Sequence, residues 1–533
     1  MTVRPVRLIA AFFTVGVWTM ASRVLGFVRD VLIAAVLGTG PVAEAFFVAF
    51  TLPNMFRRLF AEGAFNTAFV PLYAKRLEGE GPDAARRFSD EALSALAAVL
   101  FVLTLVAHLA MPALVWFLAS GFAEDRRFAM AELLGRIIFP YILFISLAAL
   151  VSGLLNAHGR FAAAAAAPVL LNVILIAALL LAESDVLRGQ LIPGAAIAGE
   201  LGAHHGTILA WAVLVAGAAQ LALVWRAAAQ IGMAPRLCRP RLTPGIRRLA
   251  IIAFPAALAA GVMQVNLVVG RQVASYFDGA VAWLWLADRV YQLPLGVIGV
   301  AVGVVLLPEL ARQVRAGDTE GSAAAVNRAA EFALVFTLPA TVALITMPAL
   351  IVEVLFERGA FGPEDTAATA LALAVYVLGL PAYVLQKIVQ PLFFAREDTR
   401  TPLRFALVGM AVNAVVALGL APVIGFLAAA LGSTVAAWVN LVLLWRGARR
   451  AGASVSIDPM LRRRFPRMAL AALVMGAGLL AAGQPVAVDA VGPIPLLCLL
   501  VIGGLVGYAG CALAFGAVSP GEIKRALRRR GAA

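Results

Sequence analysis

Charge is scarce in this sequence. Only 14% of its 533 residues are Asp, Glu, Lys or Arg, against about 25% in a soluble globular domain. That shortage excludes a water-soluble fold, because a chain that is 62% hydrophobic has too little polar side chain to cover a surface. Intrinsic disorder is excluded from the other side, since disordered chains are poor in apolar residues. The solvent implied is a bilayer. Cysteine is equally sparse: Cys238, Cys498 and Cys511 have neither disulfide nor metal spacing. The four histidines, His108, His158, His204 and His205, are too scattered to build a metal site with acids, and the pair His204–His205 reads as a solvated periplasmic loop. No Walker motif is present, which removes ATP as a direct driver. Acids and histidines are not clustered as a phosphatase or glycosyltransferase needs. An enzyme is therefore not expected, nor a metal or a cofactor.

What is abundant is long apolar runs separated by charged or Gly/Pro punctuation. A spanning helix needs about 20 apolar residues, so the length has room for roughly fourteen spans. The expected helices cover 8–37, 43–74, 89–119, 129–156, 161–182, 206–228, 246–276, 279–311, 323–346, 364–395, 402–424, 426–447, 467–484 and 493–515. Arg4 and Arg7 precede the first run, which continues through Arg23 and Arg29 without a cleavage site and is read as a span, not a signal peptide. With the N-terminus in the cytoplasm, the connections hold 31 cations inside and 4 outside. The outside cations are Arg126, Arg127, Arg188 and Arg358. One missed helix would invert everything after it, so this asymmetry supports both the span count and two cytoplasmic termini. Most of the net charge of +14 is thus a topology signal, and nucleic acid is not needed as a partner.

The two halves of the chain resemble each other. Residues 43–80 end in FVPLYAKRLEGEG and residues 280–317 in VLLPELARQVRAG; LNAHGRF enters the fifth span and FFAREDTRTP the eleventh. Six helices repeat as six more, both halves starting from the cytoplasm. The fold class expected is an all-α polytopic membrane protein of about 14 transmembrane helices, with two six-helix lobes in a parallel repeat plus two C-terminal helices. The lobes are 1–230 and 231–450, and 451–533 holds helices thirteen and fourteen with a basic cytoplasmic tail.

Eight cations remain inside the spans: Arg23, Arg29, Arg57, Arg58, Arg136, Arg271, Arg289 and Lys387. A cation at mid-span costs about 2.5–3.5 kcal/mol on insertion scales, so it should face water, pair with an acid or sit near a helix end. Arg23, Arg29 and Asp30 lie in SRVLGFVRD, where Gly26 permits a bend. The second span carries LPNMFRRLFAEGAF; Glu62 is four residues beyond Arg58, a good distance for an ion pair, which leaves Arg57 available. The eighth span carries LADRVYQLP with Asp288 beside Arg289, and Arg271 falls where Arg29 falls in the first repeat. Guanidinium groups bind phosphate oxygens in pairs with planar geometry. Six arginines against the four acids Asp30, Glu44, Glu62 and Asp288 therefore point to a polyanionic cargo such as a pyrophosphate. The competing reading pairs each arginine with one of those acids. Arg136 and Lys387 read as structural or snorkelling.

At these residues the chain resembles the MurJ (MviN) family of lipid II flippases, in the multidrug/oligosaccharidyl-lipid/polysaccharide exporter superfamily. The resemblance rests on SRVLGFVRD, AFFVAFTLPNMFRRLFAEGAF, FPYILFISLAAL, LNAHGRF, ADRVYQLPLGVIGVAVGVVLLP and DTRTP, and with the span count it covers nearly the whole chain. It implies two lobes that alternate between inward-open and outward-open states, with the last two helices forming a groove for a lipid tail. Arg23, Arg29, Arg57 and Arg289 match the family's cavity arginines and become the expected pyrophosphate-binding set. Asn54, Arg58, Glu62 and Asp288 sit in the same matched motifs and, with Asp30, Glu44 and Arg271, form the supporting set. Glu44 stands where relatives often have Asp, and Ala282 where some carry Ser. The implied cargo is lipid II, an undecaprenyl-pyrophosphate-linked disaccharide pentapeptide, moved from the cytoplasmic to the periplasmic leaflet of the bacterial inner membrane. Membrane lipid and other cell-wall synthesis proteins are the further implied partners. Coupling to the membrane potential or to an ion stays open, and no sodium site can be placed. The alternatives are an exporter of another lipid-linked glycan or of a drug, and a membrane scaffold. A drug-cation exporter calls for an acidic cavity, and a scaffold has little use for mid-span arginines.

Overall fold

A computed structural model describes residues 5–57, 64–183, 199, 203–450, 457–483 and 491–518. Among the described residues the chain is helical, and it divides into two compact units. The first contains residues 1–282 with a short excursion, Arg358–Phe361; the second contains 283–357 and 362–533.

In the first unit, α1 (Pro5–Leu37) ends at Gly38 and turns into α2 (Pro41–Arg57). There follow α3 (Ala64–Gly79), α4 (Pro82–Leu109), α5 (Met111–Leu118), α6 (Arg126–Ile138), α7 (Tyr141–Ala157), α8 (Ala162–Glu183), α9 (His204–Gln230) and α10 (Pro244–Ser275). Proline opens α2, α4 and α10, where its missing N–H is one the first turn leaves unused anyway. Helix α1 packs on α8, α8 on α9, α9 on α7, and α2 on α6. Helix α10, the seventh expected span, packs on α3 within this unit. At the α7–α9 crossing a Cβ on Gly217 would come within 2.6 Å of the Tyr141 ring, so glycine there sets the approach of the two helices.

The second unit runs through α11 (Ala280–Arg315), α12 (Thr319–Thr346), α13 (Pro348–Phe356), α14 (Pro363–Val377), α15 (Leu380–Phe394), α16 (Arg400–Ile424), α17 (Leu427–Arg450), α18 (Pro459–Ala482) and α19 (Pro493–Ala514). Helices α16 and α17 pair, α12 packs on α18, and α18 on α19. The DTRTP motif proves to be a helix start. The Asp398 carboxylate accepts the N–H groups of Arg400 at 3.1 Å and Thr401 at 3.0 Å. Thr401, through its hydroxyl and its N–H, holds that carboxyl below the ordinary aspartate range, as a capping carboxylate should be.

Among the described residues, ten helical segments are long and apolar enough to cross a membrane. The helices 5–37, 41–57, 64–79, 244–275 and 280–315 are not among those ten; they contain Arg23, Arg29, Asp30, Glu44, Arg57, Arg271, Asp288 and Arg289. Along α4, Phe101, Val102, Leu105 and Val106 are exposed, as are Ile502, Leu505 and Val506 on α19. Apolar stripes of this kind suit hydrocarbon, where helices satisfy their own backbone. One expectation is corrected: His204 and His205 are half-buried and open α9, and do not lie in a solvated loop.

Candidate functional site

Arg29 and Asp30 are adjacent on α1, and adjacent helical residues diverge by about 100° and do not face each other. Even so, Arg29 donates to Asp30 Oδ1 from Nη2 at 2.7 Å and from Nε at 3.0 Å. Its Nη1 donates to Asn172 Oδ1 on α8 at 2.9 Å. The amide of Asn172 donates in turn to the Ser22 carbonyl at 2.9 Å, back on α1. The guanidinium also stands 6.0 Å from the Phe50 ring of α2. Arg29, Asp30 and Asn172 are all buried. The amide packs over Gly26: a Cβ there would lie in ordinary contact, 3.5–3.8 Å from the amide atoms of Asn172, and a larger side chain would press on it. Asn172 was missed by sequence reasoning. A lone buried asparagine in the apolar helix AAAAAAPVLLNVILIAALLLAE was the available signal, since an amide inside a membrane helix needs a partner on a neighbouring one.

Arg23 is exposed and has no ion-pair or hydrogen-bond partner among the described residues. Arg57 is half-buried at the end of α2, where its Nε donates to Asn54 Oδ1 at 3.3 Å; Asn54 itself donates to the Phe50 carbonyl at 2.8 Å. The expected pair Arg58–Glu62 lies outside the described residues. Arg271 is half-buried on α10. In the second unit, the guanidinium of Arg289 stacks 4.5 Å over the Trp285 ring, and Asp288 accepts a hydrogen bond from Gln292 one turn on. Arg136, read as structural, forms an i,i+4 pair with Glu132 at 2.6 Å.

Glu44 has a different occupation. Its carboxylate accepts from Arg127 Nη1 at 2.9 Å and from the N–H of Val281 at 3.1 Å. Arg127 also bridges Asp125 at 2.5 Å and Asp278 at 3.0 Å and lies 4.5 Å over the Phe122 ring. Counted from the sequence as an outside-loop cation, Arg127 is in fact buried. The signal was legible: a cation in the first turn of a helix opposes the dipole and calls for an acid. Beside it, Ser120 donates through its N–H and hydroxyl to Gln272, and the Ser275 hydroxyl accepts the N–H of Gly121. These contacts fasten the end of α10 to the segment following α5.

A sequence profile described as lipid II flippase MurJ matches residues 33–491. A probable lipid II flippase MurJ of Rhizobium meliloti (strain 1021) is 46% identical over 99% of this chain and 97% of its own length. A lipid II flippase MurJ of Burkholderia cenocepacia is 35% identical over 89% of each chain. Among solved structures, a lipid II flippase MurJ in an inward closed conformation superposes with a TM-score of 0.77 at 22% identity, covering 94% of this chain and 98% of that one. An inward-facing multidrug resistance MATE family transporter of the MOP superfamily reaches 0.64 at 14% identity, over 82% of this chain and 96% of that one. The structural likenesses speak for the fold.

Proposed function

The chain belongs to the lipid II flippase MurJ family, and from that premise we propose that it carries lipid II from the cytoplasmic to the periplasmic leaflet by alternating access, supplying cell-wall synthesis. It is a multi-pass membrane protein; its place in the bacterial inner membrane, its fourteen spans and two cytoplasmic termini belong to the proposal. So do other cell-wall proteins as partners and coupling to the membrane potential or an ion.

The observation that carries the cargo assignment is the state of the α1 arginines. A guanidinium has five N–H donors. Three of those of Arg29 are spent on Asp30 and Asn172, which leaves two. Arg23, two turns earlier on α1, is exposed and meets no carboxylate among the described residues. A diphosphate offers acceptor oxygens for both, while the isoprenoid tail stays in lipid. Arg57 and Arg289 are the further members of the proposed binding set, each oriented by a neighbour, Asn54 and Trp285 respectively. A net-basic set of this kind disfavours a cationic drug.

The test uses the full chain in proteoliposomes loaded with lipid II, with accessibility of the headgroup on the far leaflet as the readout. Wild-type protein should accelerate transfer. The triple variant Arg23→Ala, Arg29→Ala, Arg289→Ala should not, at equal protein level. Transfer by the triple variant at the wild-type rate would refute the arginine mechanism.

A further inference from the structure

We propose that Asn172 is the positioning residue for Arg29, and that its being a neutral amide leaves the Arg29 charge offset by a single carboxylate, so that the diphosphate meets no net negative charge. The inference rests on the lipid II reading and deepens it.

The ion pair of Arg29 with Asp30 is local, and by itself it would let the guanidinium swing with either side chain, since neighbours on a helix have no fixed face in common. Asn172 supplies the missing constraint from another helix. Its Oδ1 accepts from Arg29 Nη1 and its Nδ2 is tied to the Ser22 carbonyl, with the Ser22 hydroxyl at 3.4 Å. Both ends of the amide are therefore satisfied, and it spans α1 from Ser22 to Arg29, packed over Gly26. The amide acts as a ruler laid along α1 that fixes where the guanidinium ends.

Charge decides why the ruler is an asparagine. Arg29 faces one carboxylate and one neutral acceptor, so the cluster Arg29–Asp30–Asn172 sums to zero, and Arg23 adds a positive charge on the same helix. An aspartate at 172 has nearly the same shape and would accept from Nη1 at least as well. It would make the cluster net negative and repel a diphosphate. It would also lose the amide donor to Ser22. A merely structural bridge would gain from the extra ion pair, whereas a bridge that serves an anionic cargo must avoid it.

The experiment compares N172A and N172D in proteoliposomes, measuring the affinity for lipid II separately from the maximal transfer rate. The expected result is that N172A weakens lipid II affinity severalfold through loss of position. N172D should weaken it more, by about tenfold or beyond, because a charge near the site in a medium of intermediate dielectric is worth at least 1.4 kcal/mol. The N172D deficit should shrink as salt rises, and the N172A deficit should not. A structural role predicts the reverse order, with N172D closer to wild type than N172A, and that order would overturn the proposal. Should N172D accumulate poorly, G26V provides an independent arm. It changes no charge, crowds the amide off α1, and should reproduce the N172A loss of affinity; wild-type affinity in G26V would likewise overturn the proposal. Failure of the wild-type protein to transfer lipid II would instead sink the functional reading, so the two failures are distinguishable.

Discussion

Arg29 and Arg127 lie in the same compact unit and are nearly equally shielded, at 7% and 6% exposure, yet their electrostatic surroundings are opposite. Arg127 meets three carboxylates, Glu44, Asp125 and Asp278, and its guanidinium is covered by Phe122. No positive charge is left over for a ligand. Its work is to hold the start of α6, the start of α2 and the turn at 278–281 together. Arg29 meets one carboxylate and one amide. The difference shows that burial of an arginine in a membrane protein does not reveal its role; the number of carboxylates around it does. Removing one partner of a buried pair strands the other at several kcal/mol, whereas removing both can be nearly neutral.

The largest effect should come from breaking the closed cluster. Arg127→Ala, which leaves the buried Glu44 carboxylate without its cation, should destabilise the protein by about 3–5 kcal/mol, seen as loss of membrane abundance and a lower unfolding temperature; Glu44→Ala should cost less, because Arg127 keeps Asp125 and Asp278. The double variant should recover abundance better than Arg127→Ala alone and bind lipid II with near wild-type affinity. The open cluster should respond differently. Arg29→Ala removes the guanidinium that Asp30 Oδ1 accepts from, and Arg29→Ala with or without Asp30→Ala should lower transfer roughly 10- to 100-fold, the worth of a charge-assisted hydrogen bond of about 1.5–3 kcal/mol. Arg29→Lys should lie between, since a point charge cannot form the planar fork. Recovery of transfer in the Arg29/Asp30 double variant would erase the contrast. Next comes Arg23→Ala. Being exposed and without a partner among the described residues, it should leave abundance unchanged and lower lipid II affinity by about tenfold.

The smallest expected effect is a pH dependence away from both clusters. His158, at the end of α7, meets the Tyr73 hydroxyl at 2.9 Å, and partial burial pushes its pKa below the usual 6.5. A base whose folded pKa is depressed stabilises the protein above the unfolded value, and that contribution is lost as pH falls through the folded one. The unfolding temperature of wild-type protein should therefore drop between pH 7.5 and pH 5 by more than that of His158→Phe. Equal drops would remove His158 from the account.

Much of this was legible beforehand. The helices fall close to the apolar runs because a span is dictated by length and hydropathy, properties of a single segment. The expected span 206–228 is realised as 204–230, and 402–424 as 400–424. The identity of the in-span arginines was equally plain, since a charge in an apolar run is conspicuous. Their partners were not. Asp30 was visible as a neighbour, but Asn172 is 143 residues from Arg29 and Arg127 is 83 from Glu44, and pairings over such separations are set by which helices cross. For the same reason the sequence places Glu44 in a cavity or an ion pair without naming Arg127 as its cation. The bend expected at Gly26 is likewise not the whole of it, because an amide from another helix packs over the residue.

The Arg358–Phe361 excursion bears on how the protein is made. Ala360 donates its N–H to the carbonyl of Ala35 at 2.7 Å. Gly38 and Gly359 have φ of +62° and +61°, and a Cβ on either would strike the facing carbonyl, that of Ala360 at 2.5 Å or of Ala35 at 2.3 Å. The last turn of α1 is thus finished by four residues encoded more than 300 positions downstream. At about 5–20 residues per second, the ribosome delivers them several seconds after residue 282, so the first unit waits, already inserted, with one end uncapped. A gene split between residues 282 and 358 would produce an N-terminal fragment that lacks its own closing piece, and the partner fragment would have to be supplied in the same membrane to complete it.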